Sequence, residues 1–270
     1  MAADLTFTTA PPTVAPRAAD LFAVIYREYA LLARNRINLI LSLAPMLVYL
    51  LLVNTSLSNL VGSISYRGEQ LPFAVFLLPM VLAMSIVSAS GTSGVALFQE
   101  ELSGVATQLW SYPMRRSRFL LGKLLAGVSL VLGQSLLALG VAVIIFDLPF
   151  GAEGWAGLLV ALTLAAIAFN GLYLAAAITI TDFQTFMVGS NVSILVLVFS
   201  APSMYTVDQM PVVLQWIAVV NPLTYAINGM RDAALFGFAD AWVNLLVLAV
   251  IAVVTYAVAG RALLNRARNL

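Results

Sequence analysis

The chain has 270 residues, of which 62% are hydrophobic and only 9% charged, against about 25% charged residues in a soluble domain. That balance, with a mean hydropathy of +1.00, excludes a soluble globule of this size, a disordered chain and a coiled coil. A net charge of +1 without a long basic block excludes a nucleic-acid binder, and the lack of cysteine and histidine removes disulfides, thiol catalysis, the usual zinc ligands and the commonest general base.

What remains is an all-α integral membrane protein that crosses the bilayer several times. Met1 to Ala19 is polar and Pro-rich, with Pro11, Pro12 and Pro16. It has no charged start followed by an apolar run, so it reads as a disordered tail rather than a signal peptide. Asp20 to Arg36 is periodic. Leu21, Phe22, Ile25, Tyr29 and Leu32 share one helical face, and Asp20, Arg27 and Arg34 lie opposite. That pattern predicts an amphipathic helix in the headgroup layer.

A hydrocarbon core of about 30 Å needs about 20 mainly apolar helical residues. Six segments meet that need: Ile37–Val53, Leu71–Ser93, Phe119–Phe146, Trp155–Ile180, Phe186–Ala201 and Ala241–Gly260. A further apolar stretch, Met210 to Ile227, opens at Pro211 and is interrupted at Asn221-Pro222. Neither half spans alone, which predicts a re-entrant segment between the fifth and sixth spans.

The distribution of basic residues tests the count. With six spans, Arg17, Arg27, Arg34, Arg36, Arg115, Arg116, Arg118, Lys123, Arg261, Arg266 and Arg268 share one side, and only Arg67 and Arg231 fall on the other. The positive-inside rule puts the larger set, and both termini, in the cytoplasm.

A P-loop needs Gly, four residues, then Gly-Lys-Ser/Thr, because backbone N–H groups wrap the phosphates. Gly122-Lys123 is followed by Leu124, and Ser117 stands where the first glycine belongs. No carboxylate lies at depth in a predicted span, so a proton relay is not expected. Active transport would draw its energy from another chain.

The longest loop on the basic side runs from Gln99 to Phe119. Glu100 and Glu101 open it, Val105, Leu109 and Tyr112 share a face, and Pro113 stops the helix. Arg115, Arg116, Arg118 and Lys123 then return to the headgroup zone. One reading is a short surface helix that docks another protein; the other is a solvated loop.

On the opposite side, Asn221 and Pro222 can cap and start a new helix through Tyr225 to Arg231 and Asp232. Adjacent residues do not face each other on a helix, so Arg231 is expected to pair with Asp208 or Glu69, or to snorkel to lipid headgroups. Inside the spans stand Ser85, Ser88, Ser90, Thr92, Ser93, Gln134, Ser135, Asn170, Asn191 and Ser193. Such groups more often bridge helices than contact a substrate. Gly91 with Gly94, and Gly127 with Gly133, suit close helix approach.

In this order the motifs resemble those of the permease of a type 2 ATP-binding-cassette exporter. The loop motif is matched by Glu100, Glu101, Gly104, Leu109, Pro113 and Leu121-Gly122-Lys123, and the outer motif by Asn221-Pro222-Leu223-Thr224-Tyr225 with Arg231. One departure is Glu101 with Gly104-Val105, where the family often has a basic residue and Gly-Thr. The resemblance implies a permease that is not itself an enzyme, with ATP and Mg on two partner ATPase subunits. It implies a homodimer or a heterodimer with a sister permease, a coupling helix over Glu100 to Tyr112, and an interface helix over Asp20 to Arg36. Substrate would pass between the permease halves, near the first, second and fifth spans.

Family members export drugs, antibiotics, lipids or lipid-linked polysaccharides. Sugar channels are lined with rings, and here the fifth span offers Phe186 and Phe199 and the first only Tyr49. An amphiphilic small molecule or lipid is therefore expected ahead of a polysaccharide. Arginine outnumbers lysine twelve to one, a composition pointing to a GC-rich bacterial genome and its plasma membrane. Outside transport, a passive channel or membrane scaffold is the competing class. An intramembrane enzyme would need a convergent site these residue types do not supply.

Overall fold

The computed structural model describes residues 19–34, 47–103 and 116–268. The tail at 1–18, residues 37–46 of the first expected span, and Gly104, Leu109 and Pro113 of the loop lie outside the described residues.

Helix α1 (Ala19–Arg34) covers the amphipathic segment. Val24 is buried, 4% exposed, whereas Phe22 on the expected apolar face is exposed. A single turn of wider helix, Tyr49–Asn54, runs into α2 (Thr55–Val61). Then come β1 (Ser63–Tyr66) and β2 (Glu69–Pro72), an antiparallel hairpin in which Tyr66 faces Glu69 across the turn. Leu71 and Pro72 thus belong to a strand, not to the second span as expected.

Four helices among the described residues are long and apolar enough to cross a bilayer: α3 (Phe73–Leu102), α4 (Arg116–Ile145), α5 (Ala152–Thr179) and α9 (Phe238–Arg268). Between α5 and α9 lie α6 (Phe183–Phe199), α7 (Val212–Val220) and α8 (Pro222–Leu235). With 17 residues, α6 rises about 25 Å, slightly less than the hydrocarbon core needs. Asp182 caps it by accepting a 2.6 Å hydrogen bond from the Thr185 N–H. The pair α7 and α8 is bent by 85°.

Helix α5 is the hub, packed along α3 and α9 and also against α8 and α4. Small residues permit this. A Cβ at Gly157 would fall 2.8 Å from the Ala233 carbonyl oxygen of α8, and one at Gly127 would fall 2.6 Å from the Asn170 amide. Tight approach compensates for the weak hydrophobic drive between helices in lipid. Of the glycines singled out from the sequence, Gly94 and Gly127 sit at such contacts, whereas Gly133 has open space. The faces left open are apolar: Val188, Val192, Leu195 and Phe199 on α6, and Trp242, Leu246, Val250 and Val253 on α9.

Candidate functional site

Polar residues gather at the two ends of the bundle. At one end, α3 finishes and α4 begins, on either side of residues 104–115. Here Lys123 of α4 is 2% exposed. Its ammonium lies 2.6 Å from Glu100 Oε2 and 3.0 Å from Glu28 Oε1. The other Glu100 oxygen takes Arg27 Nη2 at 3.1 Å, and Arg27 also reaches Glu28 at 3.4 Å. Two cations and two carboxylates therefore balance, and three helices are joined. Removing one partner of such a buried pair costs about 3–5 kcal/mol, because the other charge is stranded.

Two sequence expectations change here. Lys123 does not return to the headgroup zone but is enclosed between carboxylates. Arg27, placed above on the outward polar face of α1, turns toward α3. The reason is that Val24 docks α1 on Gly122 of α4, where a Cβ would come within 2.9 Å of Val24; residues three and four positions on then face the same neighbours. Glu100 is 12% exposed with both carboxylate oxygens engaged. Ser103 closes α3 by donating to the Glu100 carbonyl at 3.1 Å. Glu101 lies in the last turn of α3. Sequence reasoning missed Glu28, and no spacing within the chain ties it to position 100 or 123.

At the other end, Asn221 forms the corner between α7 and α8. Its Oδ1 accepts from the Leu223 N–H at 2.8 Å, and its Nδ2 donates to the Leu197 carbonyl at 2.7 Å and to Ser200 Oγ at 3.0 Å. Pro222 occupies the first position of α8, where a missing N–H costs nothing. The Tyr225 hydroxyl donates back to the Val219 carbonyl at 2.6 Å, pinning the corner from the other side. One Asn and one Tyr thus fix the bend that the proline begins.

Arg231 is 1% exposed. Its guanidinium donates to the Phe76 carbonyl at 3.1 and 3.2 Å, to Asn228 Oδ1 at 3.3 Å and to the Pro202 carbonyl at 3.4 Å. Its Cζ lies 3.7 Å from the centroid of the Phe76 ring. Pro79 removes one N–H from this turn of α3, loosening the helix ladder beside the carbonyl that Arg231 uses. The expected pairing with Asp208 or Glu69, or snorkelling to headgroups, is replaced by burial on carbonyls and a ring. A planar fork of donors suits several carbonyls at once.

Asp232 faces elsewhere and is fully buried. Its Oδ1 accepts from the Tyr66 hydroxyl at 2.8 Å, and its Oδ2 from Arg67 at 3.0 Å and from Asn244 at 3.1 Å. Burial, followed by the Asp232 charge, pushes the Tyr66 hydroxyl up to about 12, so it is a hydrogen-bond donor at any physiological pH. Tyr66, Arg67 and Asn244 were not singled out from the sequence. The signal that could have found Arg67 is that the six-span expectation leaves it, with Arg231, apart from the other eleven basic residues.

Within the bundle, Tyr173 of α5 and Ser193 of α6 share a 2.8 Å hydrogen bond. Ser135, Thr92 and Asn191 bond back to carbonyls of their own helices. Among the described residues, Ser90 Oγ and both amide atoms of Asn170 are buried without a hydrogen-bond partner. No three His, Cys, Asp or Glu side chains gather among the described residues where a metal ion could be held.

The ABC-2 type transporter family profile matches residues 19–235, a range that holds both polar clusters except for Asn244. The chain is also similar to ABC transporter G family member 20 of Dictyostelium discoideum, 27% identical over 191 residues. That alignment covers 68% of this chain and 26% of the relative, so the chain spans about a quarter of the relative's length. With the family match running from α1 to the end of α8 over a bundle of long apolar helices, the chain belongs to the ABC-2 type transporter family, the membrane-spanning component of ATP-binding-cassette transporters.

Proposed function

We propose that the chain is the permease subunit of an ATP-driven exporter for an amphiphilic small molecule, such as a drug or antibiotic, or a lipid. The observation that carries this reading is the family match together with the ion cluster. Glu100 and Lys123 clamp the two ends of the loop that would dock an ATPase, so a push on that loop would reach α1, α3 and α4 together. ATP and Mg would be held by two ATPase subunits, since Gly122-Lys123-Leu124 is no P-loop. The permease would work as a homodimer or with a sister permease, substrate passing near the first, second and fifth spans. Six spans, both termini in the cytoplasm and a bacterial plasma membrane complete the reading. Asn221, Pro222, Tyr225 and Arg231 would form the outer gate, because a broken backbone at membrane depth must be covered by protein or line water.

The packing of Phe186 favours the small amphiphile or lipid over a polysaccharide. Its ring stacks on Phe98 at 5.7 Å between centroids and is 1% exposed, leaving Phe199 as the ring on the open face of α6. A ring-lined sugar path would need more. The test is reconstitution with the cognate ATPase in lipid vesicles, measuring ATP-dependent movement of a fluorescent amphiphile and of a lipid analogue. ATP-dependent movement supports the exporter; movement down a gradient without ATP would establish the passive channel instead, and no movement of any substrate with an intact complex the scaffold.

A further inference from the structure

The hairpin turn carries an anomaly. Arg67 and Gly68 both have positive φ, 49° and 87°, which is the two-residue turn that favours Asn-Gly or Gly-Gly. A long side chain at the first position is held in a sparsely populated conformation, and such strain persists where the surroundings determine it. The surroundings here are specific. Arg67 Nη2 lies 3.0 Å from Asp232 Oδ2 and Nη1 lies 3.2 Å from Asp240 Oδ1. Its guanidinium carbon is 5.6 Å from the centroid of the Phe236 ring. Asp232 and Phe236 end α8, and Asp240 begins α9; between them the chain turns at Gly237, φ 87°. Tyr66, next to Arg67, donates to the same Asp232.

We infer that the hairpin is a latch: Arg67 and Tyr66 are positioning residues that close over the α8–α9 corner and hold Asp232, and through it the helix that carries Arg231. Arg231 fastens α8 to α3 from within at the Phe76 carbonyl, and Arg67 fastens it from outside. Arg67 is the accessible member, its side chain 43% exposed against 1% for Asp232, so the outer fastening releases first. The hairpin runs directly into α3, and its base is closed by the Phe73 N–H on the Gly62 carbonyl at 3.0 Å. A shift at the start of α3 would therefore pull the latch. The inference rests on the gate reading only for its consequence in export.

The test uses the full chain with its partner ATPase in lipid nanodiscs. Arg67→Asn gives the turn its favoured residue while deleting both ion pairs, so it separates a turn role from a latch role. Hydrogen exchange of the α8 amides should rise on the order of tenfold in Arg67→Asn and less in Arg67→Lys, as expected for one charge-assisted contact to a buried carboxylate. Asp232→Asn should raise exchange similarly and add little on top of Arg67→Asn. Unchanged α8 exchange in Arg67→Asn, or full additivity of the two variants, overturns the latch. Faster α8 exchange with undiminished export supports the latch and removes the gate role of the Asn221–Arg231 segment.

Discussion

Arg231 and Asp232 are consecutive residues with different hydrogen-bond partners: the guanidinium donates to carbonyls and lies on the ring of Phe76, the carboxylate accepts from Tyr66, Arg67 and Asn244, and the Tyr66 ring, 5.3 Å from the guanidinium carbon, borders both. Neighbours on a helix point about 100° apart, so one turn of α8 fastens to α3 on one side and to the hairpin on the other.

The burial of Arg231 separates two kinds of variant. Arg231→Ala strands the carbonyls of Phe76 and Pro202, and Arg231→Lys supplies a point charge where a flat fork lies over a ring. Both are expected to lower export, Ala by more, with about 1.5–3 kcal/mol lost for each charged hydrogen bond left unmade. Export and surface abundance measured in parallel check this. A Lys variant equal to wild type would return Arg231 to the snorkelling role.

Lys123→Met should destabilise the protein by about 3–5 kcal/mol, since Glu28 and Glu100 are left facing each other with Arg27 alone to balance them. Adding Glu100→Gln removes the stranded carboxylate and should recover most of that loss. Thermal unfolding in lipid nanodiscs measures both. If ATP turnover persists in the double variant while export falls, the cluster carries coupling as well as stability.

Asn221→Ala removes the cap of α8 and the bonds to Leu197 and Ser200. A lost cap alone costs about 1 kcal/mol, and two further side-chain bonds raise that to roughly 2–3 kcal/mol. The 85° corner should then broaden, read as a wider distance distribution between spin labels placed on α7 and α8. An unchanged distribution would mean that Pro222 and Tyr225 set the bend by themselves.

With six spans, the eleven-to-two split of basic residues predicts a cytoplasmic C-terminus under the positive-inside rule. A reporter fused after Leu270 should be active only in the cytoplasm. Activity on the opposite side would remove the six-span reading.

Length and apolarity are local properties, so four spanning helices and the break at Asn221-Pro222 were legible in the residue order itself. The backbone of an apolar segment must satisfy itself within the helix, which leaves little choice of local structure. The same holds for α1 as a helix but not for its packed face: Phe22 of the expected apolar face is 68% exposed, and Val24, Arg27 and Glu28 face α3 and α4 instead. The residues around which the two ends close were not legible in that way. Glu28, Glu100 and Lys123 lie 95 and 23 positions apart along the chain, and Tyr66 and Asp232 lie 166 apart. In a chain with so few charges, each buried one must find a partner wherever the packed helices bring it, because water is absent to serve instead. Sequence could therefore say that Arg231 needed compensation, and it named carboxylates as the obvious source. Only the packing of α8 decided that Phe76 of α3 supplies a carbonyl and a ring, that Pro202 beyond α6 supplies a second carbonyl, and that Asp232 belongs to the hairpin.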